Sequence, residues 1–247
     1  MRQEAYFCTV KELDELGKNN IPRQLISHTH LIYSSPATLA FNSPGAEGFG
    51  VKRAGLAVPD SVMLIVSPGC CGRNTSVLSS MRAYQDRFYY LLMDETDIVT
   101  GRHLKKIPKA VAEICEGLKK KPSVVMICIT CVDALLGTDM ERVCHKAEEY
   151  AGVPVRPCYM YALTREGRKP PMVHVRQSVY SLLEPKKKKG NVVNLLGYFS
   201  PLTDDCELYD LLHGAGVKTI HEISRCKDYA QYQTMSEANF NLVLHPE

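Results

Sequence analysis

The chain has 247 residues, of which 45% are hydrophobic and 23% are charged, enough to bury one large core or two smaller ones. A formal net charge of +3 at pH 7 is too small to indicate a nucleic-acid-binding surface. The N-terminus has no apolar segment of the secretory type, and the longest apolar runs, such as SVMLIV and VVMICI, are shorter than the roughly 18 residues that span a bilayer. We therefore predict a cytoplasmic protein that binds neither nucleic acid nor membrane.

Strands and helices alternate in the first part of the chain, after an irregular segment at 21–60. The predicted strands, in chain order, are 61–67, 88–94, 123–130 and 153–160. The predicted helices are 74–87, 107–121 and 133–152, and the second of these has lysines in its last turn, where they favour the helix dipole. Continuous apolar strands in such an order are typical of an α/β fold, with parallel Rossmann-like sheets that carry helices on both faces.

The alternation begins again after the basic run PKKKKG at 185–190, which is interpreted as a solvated linker. Strands are predicted at 191–199, 217–223 and 240–245, with a helix at 204–216. We predict an N-terminal α/β domain over 1–188 and the start of a second Rossmann-like domain over 189–247. The second unit is short for a doubly wound domain, so it is expected to be C-terminally incomplete.

Thiols follow two of the predicted strands. In a reducing compartment the ten cysteines favour metal or cluster ligation, redox chemistry or burial over disulfides. Cys70 and Cys71 follow the strand at 61–67 and Cys131 follows the strand at 123–130. Ligand sites in α/β sheets lie at the carboxyl ends of the strands, so these thiols are expected at one edge. Cys128 and Cys131 form a C-x-x-C, but Cys128 lies within a strand, where residues three apart point to opposite faces. This argues against a zinc knuckle or a thioredoxin-type pair.

Three segments in order, PGCCG, MDETDIVTGRHLKKI and ITCVDALLGTDME, resemble the N-terminal domain of the nitrogenase component 1 family. GYFSPLTDDCELYDLLHGAGV is similar to the start of that family's second domain, so the resemblance covers most of residues 42–247. The family includes dinitrogenase subunits, cofactor scaffold proteins and the catalytic subunits of dark-operative protochlorophyllide and chlorophyllide reductases. The resemblance implies an iron-sulfur protein with a 4Fe-4S or larger cluster at a subunit interface, and a separate ATP-hydrolysing iron-sulfur reductase as electron donor.

The family pattern also implies cluster ligands. Cys131 matches the Thr-Cys position, and Cys71 matches the Gly-Cys position, with Cys70 in place of a glycine and retained as the alternative ligand. The family usually has another cysteine upstream, but AFNSPGAEGFG contains none. An oxygen ligand from the upstream segment is an alternative, although thiolates are the usual ligands of such clusters. The candidate oxygen ligands are Asn42, Ser43 and Glu47.

Ligand counting predicts an oligomer. A cubane cluster takes about four protein ligands, and this chain offers two good candidates. Either a homodimer supplies Cys71 and Cys131 twice across a twofold axis, or a related subunit completes the site in a heterodimer. No G-x-x-x-x-G-K-[ST] loop occurs in the sequence, so nucleotide binding is assigned to the separate reductase.

Three functions are compatible with these residues. The first is a nitrogenase-like oxidoreductase subunit that receives electrons from the ATP-dependent reductase and reduces a small substrate. The second is a scaffold on which a metallocofactor is assembled, and the third is a degenerate, non-catalytic family member.

Residues beside the cysteines have weaker interpretations. Asp94, Glu95 and Asp97 could solvate the edge, bind a cation or contact a partner. His103 is interpreted as a surface residue at a helix start, with cluster tuning or binding of a substrate carboxylate as alternatives. Ordinary buried or surface thiols are predicted for Cys8, Cys115, Cys144, Cys158, Cys206 and Cys226.

Overall fold

A computed structural model describes residues 9–17, 19–20, 22, 50–69, 82–130, 132–133, 136–159 and 171–244 of the chain. The strands are β1 (Val62–Ser67), β2 (Phe88–Leu92), β3 (Val125–Ile129), β4 (Val155–Tyr159), β5 (Lys189–Leu196), β6 (Thr219–His221) and β7 (Ala238–Val243). The α-helices are α1 (Val10–Leu16), α2 (Val51–Gly55), α3 (Glu95–Thr100), α4 (His103–Gly117), α5 (Met140–Ala151), α6 (Pro171–Tyr180), α7 (Glu207–Gly214) and α8 (Tyr229–Gln233). Short 3-10 helices cover Arg82–Tyr84, Ile223–Arg225 and Thr234–Glu237.

The first sheet is parallel, with the strand order β2-β1-β3-β4. Its two central strands, VMLIVS and VMICI, are buried along their whole length. Their side chains are apolar on both faces because helices cover both faces. In the edge strand β2 only Phe88 is buried, and the following positions alternate between partly buried and exposed.

Two hydrophobic clusters lie on opposite faces of this sheet. On one face, residues of α2 and α6 pack against alternate strand residues such as Ile65 and Cys128. On the other face, residues of α4 and α5 pack against the intervening residues, such as Val66 and Ile129. The predicted class, parallel sheets with helices on both faces, is therefore confirmed.

The second sheet is also parallel, with the order β6-β5-β7, and it shares the α2/α6 cluster with the first. Polar contacts join α8 to the chain just after α6. The Tyr232 hydroxyl donates to the Val179 carbonyl, and Gln233 Nε2 donates to Leu182 O at 2.8 Å. The division of the chain into domains over 1–188 and 189–247 remains a prediction.

Three predicted helices differ from the observed ones. In the described residues 82–87 of the helix predicted at 74–87, only the 3-10 helix Arg82–Tyr84 forms. The helix predicted at 107–121 begins at His103, because Gly101 adopts a left-handed φ of 64° that ends α3 and lets the chain enter α4. It ends at Gly117, so the lysines at 119–121 lie beyond its last turn. The helix predicted at 133–152 is regular only over α5, since Gly137 has a φ of 65° and Asp139 caps a new start by accepting from Arg142 N at 3.1 Å.

No helix in the described part of the chain combines the length and the apolar character needed to cross a membrane.

Candidate functional site

The carboxyl ends of β1 and β3 lie side by side. The two strands pair in parallel, with Val66 opposite Ile129. Continuing this register by one residue places Thr130 opposite Ser67, the last residue of β1. The predicted ligands Cys70, Cys71 and Cys131 follow directly along the chain but lie outside the described residues, as does the upstream segment with Asn42, Ser43 and Glu47. Their roles remain predictions.

Among the described residues at this edge, three buried polar atoms have no hydrogen-bond partner. They are Ser67 Oγ, Thr130 Oγ1 and Asp133 Oδ2. The residues are 0%, 1% and 0% exposed, respectively. Buried polar groups are nearly always paired, so an unpaired group in a protein interior requires an explanation. All three atoms belong to residues within four positions of a predicted cysteine ligand.

His103 and Asp133 form a buried pair behind this edge. His103 Nε2 lies 2.8 Å from Asp133 Oδ1, and His103 Nδ1 lies 3.0 Å from the Asp97 carbonyl oxygen. Thr138 Oγ1 also donates to Asp133 Oδ1, at 3.1 Å. Because a carbonyl only accepts, Nδ1 carries a proton, and the contact to Asp133 requires a second proton on the ring or on the carboxyl.

The expectation that His103 is a surface residue was wrong, since it is 0% exposed. It occupies the first turn of α4, where its ring bridges α3 and the chain after β3. A histidine at a helix start is usually solvated, and the sequence contains no sign that Asp133 lies close to it in space.

The acidic segment 94–97, which starts α3, is held in place by hydrogen bonds and ion pairs with neighbouring residues. Asp94 caps α3 by accepting from Asp97 N at 2.6 Å. Asp97 is buried, and its two carboxylate oxygens accept from Lys106 Nζ and Arg102 Nε, each at 2.7 Å. The hydrogen bond from Lys106, and then that from Arg102, hold the pKa of Asp97 well below its ordinary value.

Asp97 therefore stabilises the start of α3, and both its carboxylate oxygens already accept from cationic side chains, so it is not free to bind a cation. More widely, no group of three or more His, Cys, Asp or Glu side chains within the described ranges is arranged to hold a metal ion. Solvation of the edge and contact with a partner remain the interpretations of Asp94 and Glu95.

Two other thiols meet inside the first sheet. Cys128 and Cys158 are register partners on β3 and β4, and both are 0% exposed. A hydrogen bond from Cys158 lowers the pKa of Cys128 despite its burial, and the Lys52 ammonium acts in the same direction. The same hydrogen bond, together with burial, raises the pKa of Cys158. Cys158 Sγ also lies 3.4 Å from the Val51 carbonyl oxygen.

This pair could not be found from the sequence. In the sequence, the C-x-x-C spacing relates Cys128 to Cys131. In the fold, the partner of Cys128 is Cys158, which is 30 residues further along the chain. A register between parallel strands has no local sequence signal, because the pairing is set by the packing of the whole sheet.

A protein-family model described as "Nitrogenase component 1 type Oxidoreductase" matches residues 47–247. Among curated proteins, the nitrogenase iron-molybdenum cofactor biosynthesis protein NifE of Rhizobium meliloti (strain 1021) is 28% identical over 176 residues, which is 68% of this chain and 37% of that protein. NifE of Klebsiella pneumoniae is 26% identical over 222 residues, 81% of this chain and 48% of that protein.

Among solved structures, nitrogenase Cp1 at pH 6.5 superposes with a TM-score of 0.55 at 20% identity, covering 83% of this chain and 43% of that chain. A similarity at this level of identity concerns the fold. The chain thus spans less than half the length of each of these relatives.

Proposed function

Because the chain belongs to the nitrogenase component 1 type oxidoreductase family, we propose that it holds a metal-sulfur cluster at the carboxyl edge of its first sheet, as a scaffold subunit in metallocofactor assembly. One observation carries the location of the site. β1 and β3, the strands that precede the candidate thiols, end next to each other, and buried polar atoms without partners lie at those ends. The chemistry of the edge thus favours a ligand that the protein alone does not provide.

The residues at the edge fit an iron-sulfur cluster. Thiolates are the usual ligands of such clusters, and Cys131 with Cys71, or Cys70 in its place, would supply them. Ser67 and Thr130 carry hydroxyl groups that can donate to sulfur. When bound, the cluster would supply one-electron chemistry, while the chain positions its ligands and excludes water from them.

The similarity to NifE proteins supports the scaffold role over the alternatives. Both curated relatives described above are named for cofactor biosynthesis. The second candidate function is a reductase subunit that accepts electrons from an ATP-hydrolysing iron-sulfur partner and reduces a small substrate, and the family's description as oxidoreductases favours it. A degenerate member without a cluster is the third.

We further propose that the site is completed between subunits. Two thiolates from this chain leave about half of the ligands of a cubane cluster unassigned. A second copy, or a related subunit, would supply the rest. In the homodimer, the carboxyl ends of β1 and β3 in each copy would face each other across the twofold axis.

The test is anaerobic purification and reconstitution, followed by iron and acid-labile sulfide analysis and EPR of the dithionite-reduced protein. We expect about four irons per dimer in the wild type, lost in Cys131→Ala and in Cys71→Ala. If Cys70 is the ligand instead, Cys70→Ala loses the iron and Cys71→Ala retains it. Cys144→Ala is the matched control, because Cys144 is a buried thiol in α5, and burial raises its pKa.

The same preparation separates the three functions. A scaffold transfers its cluster to an acceptor apoprotein without turnover. A reductase subunit instead supports substrate reduction that depends on ATP hydrolysis by its partner. A wild-type protein that takes up no iron after reconstitution would contradict both and leave the degenerate member.

A further inference from the structure

In the described part of the carboxyl edge, two buried hydroxyl groups lack hydrogen-bond partners. Ser67 ends β1, and Thr130 directly follows β3. Strand alternation places both side chains on the face of the sheet that α2 and α6 cover, since Ile65 and Cys128, two residues earlier, belong to that cluster. Ser67 and Thr130 are therefore neighbours on one face of adjacent strands, where neither hydroxyl has a hydrogen-bond partner.

At the opposite edge of the same sheet, the buried Ser61 and the partly buried Ser123 have hydrogen-bond partners. Ser61, just before β1, accepts from Arg87 Nη2 at 2.8 Å. Ser123, just before β3, donates to the Pro59 carbonyl at 2.5 Å. Among the described residues of β1 and β3 and their flanks, the serine hydroxyls before the strands are paired, whereas the hydroxyls of Ser67 and Thr130 at the strand ends are not. An unpaired buried hydroxyl is unfavourable for folding, and an apolar side chain at either position would avoid the penalty.

The position of the two hydroxyls indicates the ligand they would serve. In the sequence, Thr130 immediately precedes Cys131, and Ser67 is three residues before Cys70 and four before Cys71. Hydroxyls can donate to thiolate or sulfide sulfur, which is rich in acceptor electron pairs. The third unpaired atom, Asp133 Oδ2, is not part of the donor pair. The proton shared with His103 lies at Oδ1 or on the ring, so Oδ2 can only accept.

We propose that Ser67 and Thr130 donate hydrogen bonds to the sulfur atoms of the cluster held at this edge and thereby raise its reduction potential. This inference rests on the proposed function and extends it by assigning two tuning residues. Hydrogen bonds to sulfur withdraw electron density and stabilise the reduced cluster, so their number is one determinant of the potential.

The test uses Ser67→Ala and Thr130→Val, which remove each hydroxyl with little change in shape, and Ser123→Ala as a matched control. Two measurements are made on each variant: the melting temperature of the protein without cluster, and the midpoint potential with EPR spectrum of the reconstituted protein. For Ser67→Ala and Thr130→Val we expect an unchanged or higher melting temperature, retained iron and a more negative potential. For Ser123→Ala we expect a lower melting temperature and an unchanged potential.

Each contrary outcome is decisive. If iron is bound but neither variant shifts the potential, the tuning role is wrong and the proposed function stands. If both variants lower the melting temperature of the cluster-free protein, the hydroxyls stabilise the fold and the inference is overturned. If the wild type binds no cluster, the proposed function fails, and the tuning role fails with it.

Discussion

Removing the imidazole of His103 tests the buried pair behind the proposed site. In His103→Ala, the Asp133 carboxylate loses the contact at 2.8 Å and retains only the hydrogen bond from Thr138 to the same oxygen. Its second oxygen is already unpaired. The substitution therefore leaves a carboxyl group that is 0% exposed with one hydrogen bond in place of two.

The expected cost follows from the burial of both partners. Breaking a buried ion pair by removing one partner costs about 3–5 kcal/mol, because an uncompensated buried group remains. At about 2–4 °C per kcal/mol for a chain of 150–250 residues, a loss of 3 kcal/mol lowers the melting temperature by about 6–12 °C. The cavity left by the ring acts in the same direction.

Urea denaturation followed by circular dichroism measures this loss. His145→Ala is the matched control, since that ring is 74% exposed and lies 3.4 Å from Glu149 in a surface pair. It should change the free energy of unfolding by less than about 0.5 kcal/mol. The double variant His103→Ala/Asp133→Ala should cost less than the sum of its single variants, because the two residues interact. A loss below about 1 kcal/mol for His103→Ala would refute the buried pair.

Three further predictions concern other parts of the structure. Tyr232→Phe removes the hydroxyl that donates to the Val179 carbonyl, which still accepts from Leu182 N, and should cost about 0.5–1.5 kcal/mol in urea denaturation; no loss would contradict this contact. Because the pKa of Asp97 is depressed in the folded state, its contribution to stability is present above the unfolded value of 3.8 and is lost as the pH falls further. The difference in stability between wild type and Asp97→Asn should then be constant near neutral pH and shrink below about pH 4, and a difference that grows on acidification would contradict this sign. Cys128 and Cys158 are fully buried, so alkylation mapped by mass spectrometry should label them only when the protein unfolds globally, after the partly exposed Cys206.

The fold was predictable where one strand pattern dominates. The apolar runs of β1 and β3 are buried on both faces, so hydrophobicity alone identified them as central strands. Helix boundaries were less predictable. Left-handed glycines, at Gly101 and Gly137, set where α4 begins and where the helix predicted at 133–152 is interrupted. A glycine's φ angle is decided by the surrounding fold, so the sequence indicates a potential break without fixing it.

Side-chain pairing was the least predictable feature. His103 and Asp133 are 30 residues apart and meet only because α4 packs beside the end of β3. Serine and threonine at strand ends are common, so nothing in the sequence distinguished Ser67 and Thr130 from ordinary surface residues. Their significance depends on burial and on the absence of a partner, which are properties of the folded chain.

Two independent observations converge on one edge of the sheet. The sequence motifs predict ligand thiols at positions 70, 71 and 131, which follow the strands that end at this edge. These three positions lie outside the described residues. In the described structure, buried hydroxyl oxygens at the ends of β1 and β3 have no hydrogen-bond partner. These atoms were not used to identify the motifs. If this edge were only a structural end of the sheet, its buried hydroxyls should be satisfied like that of the buried Ser61 at the other end. The contrast between the two ends favours a ligand at the carboxyl edge even without the cysteines, so mutation of the hydroxyls tests the site separately from mutation of the thiols.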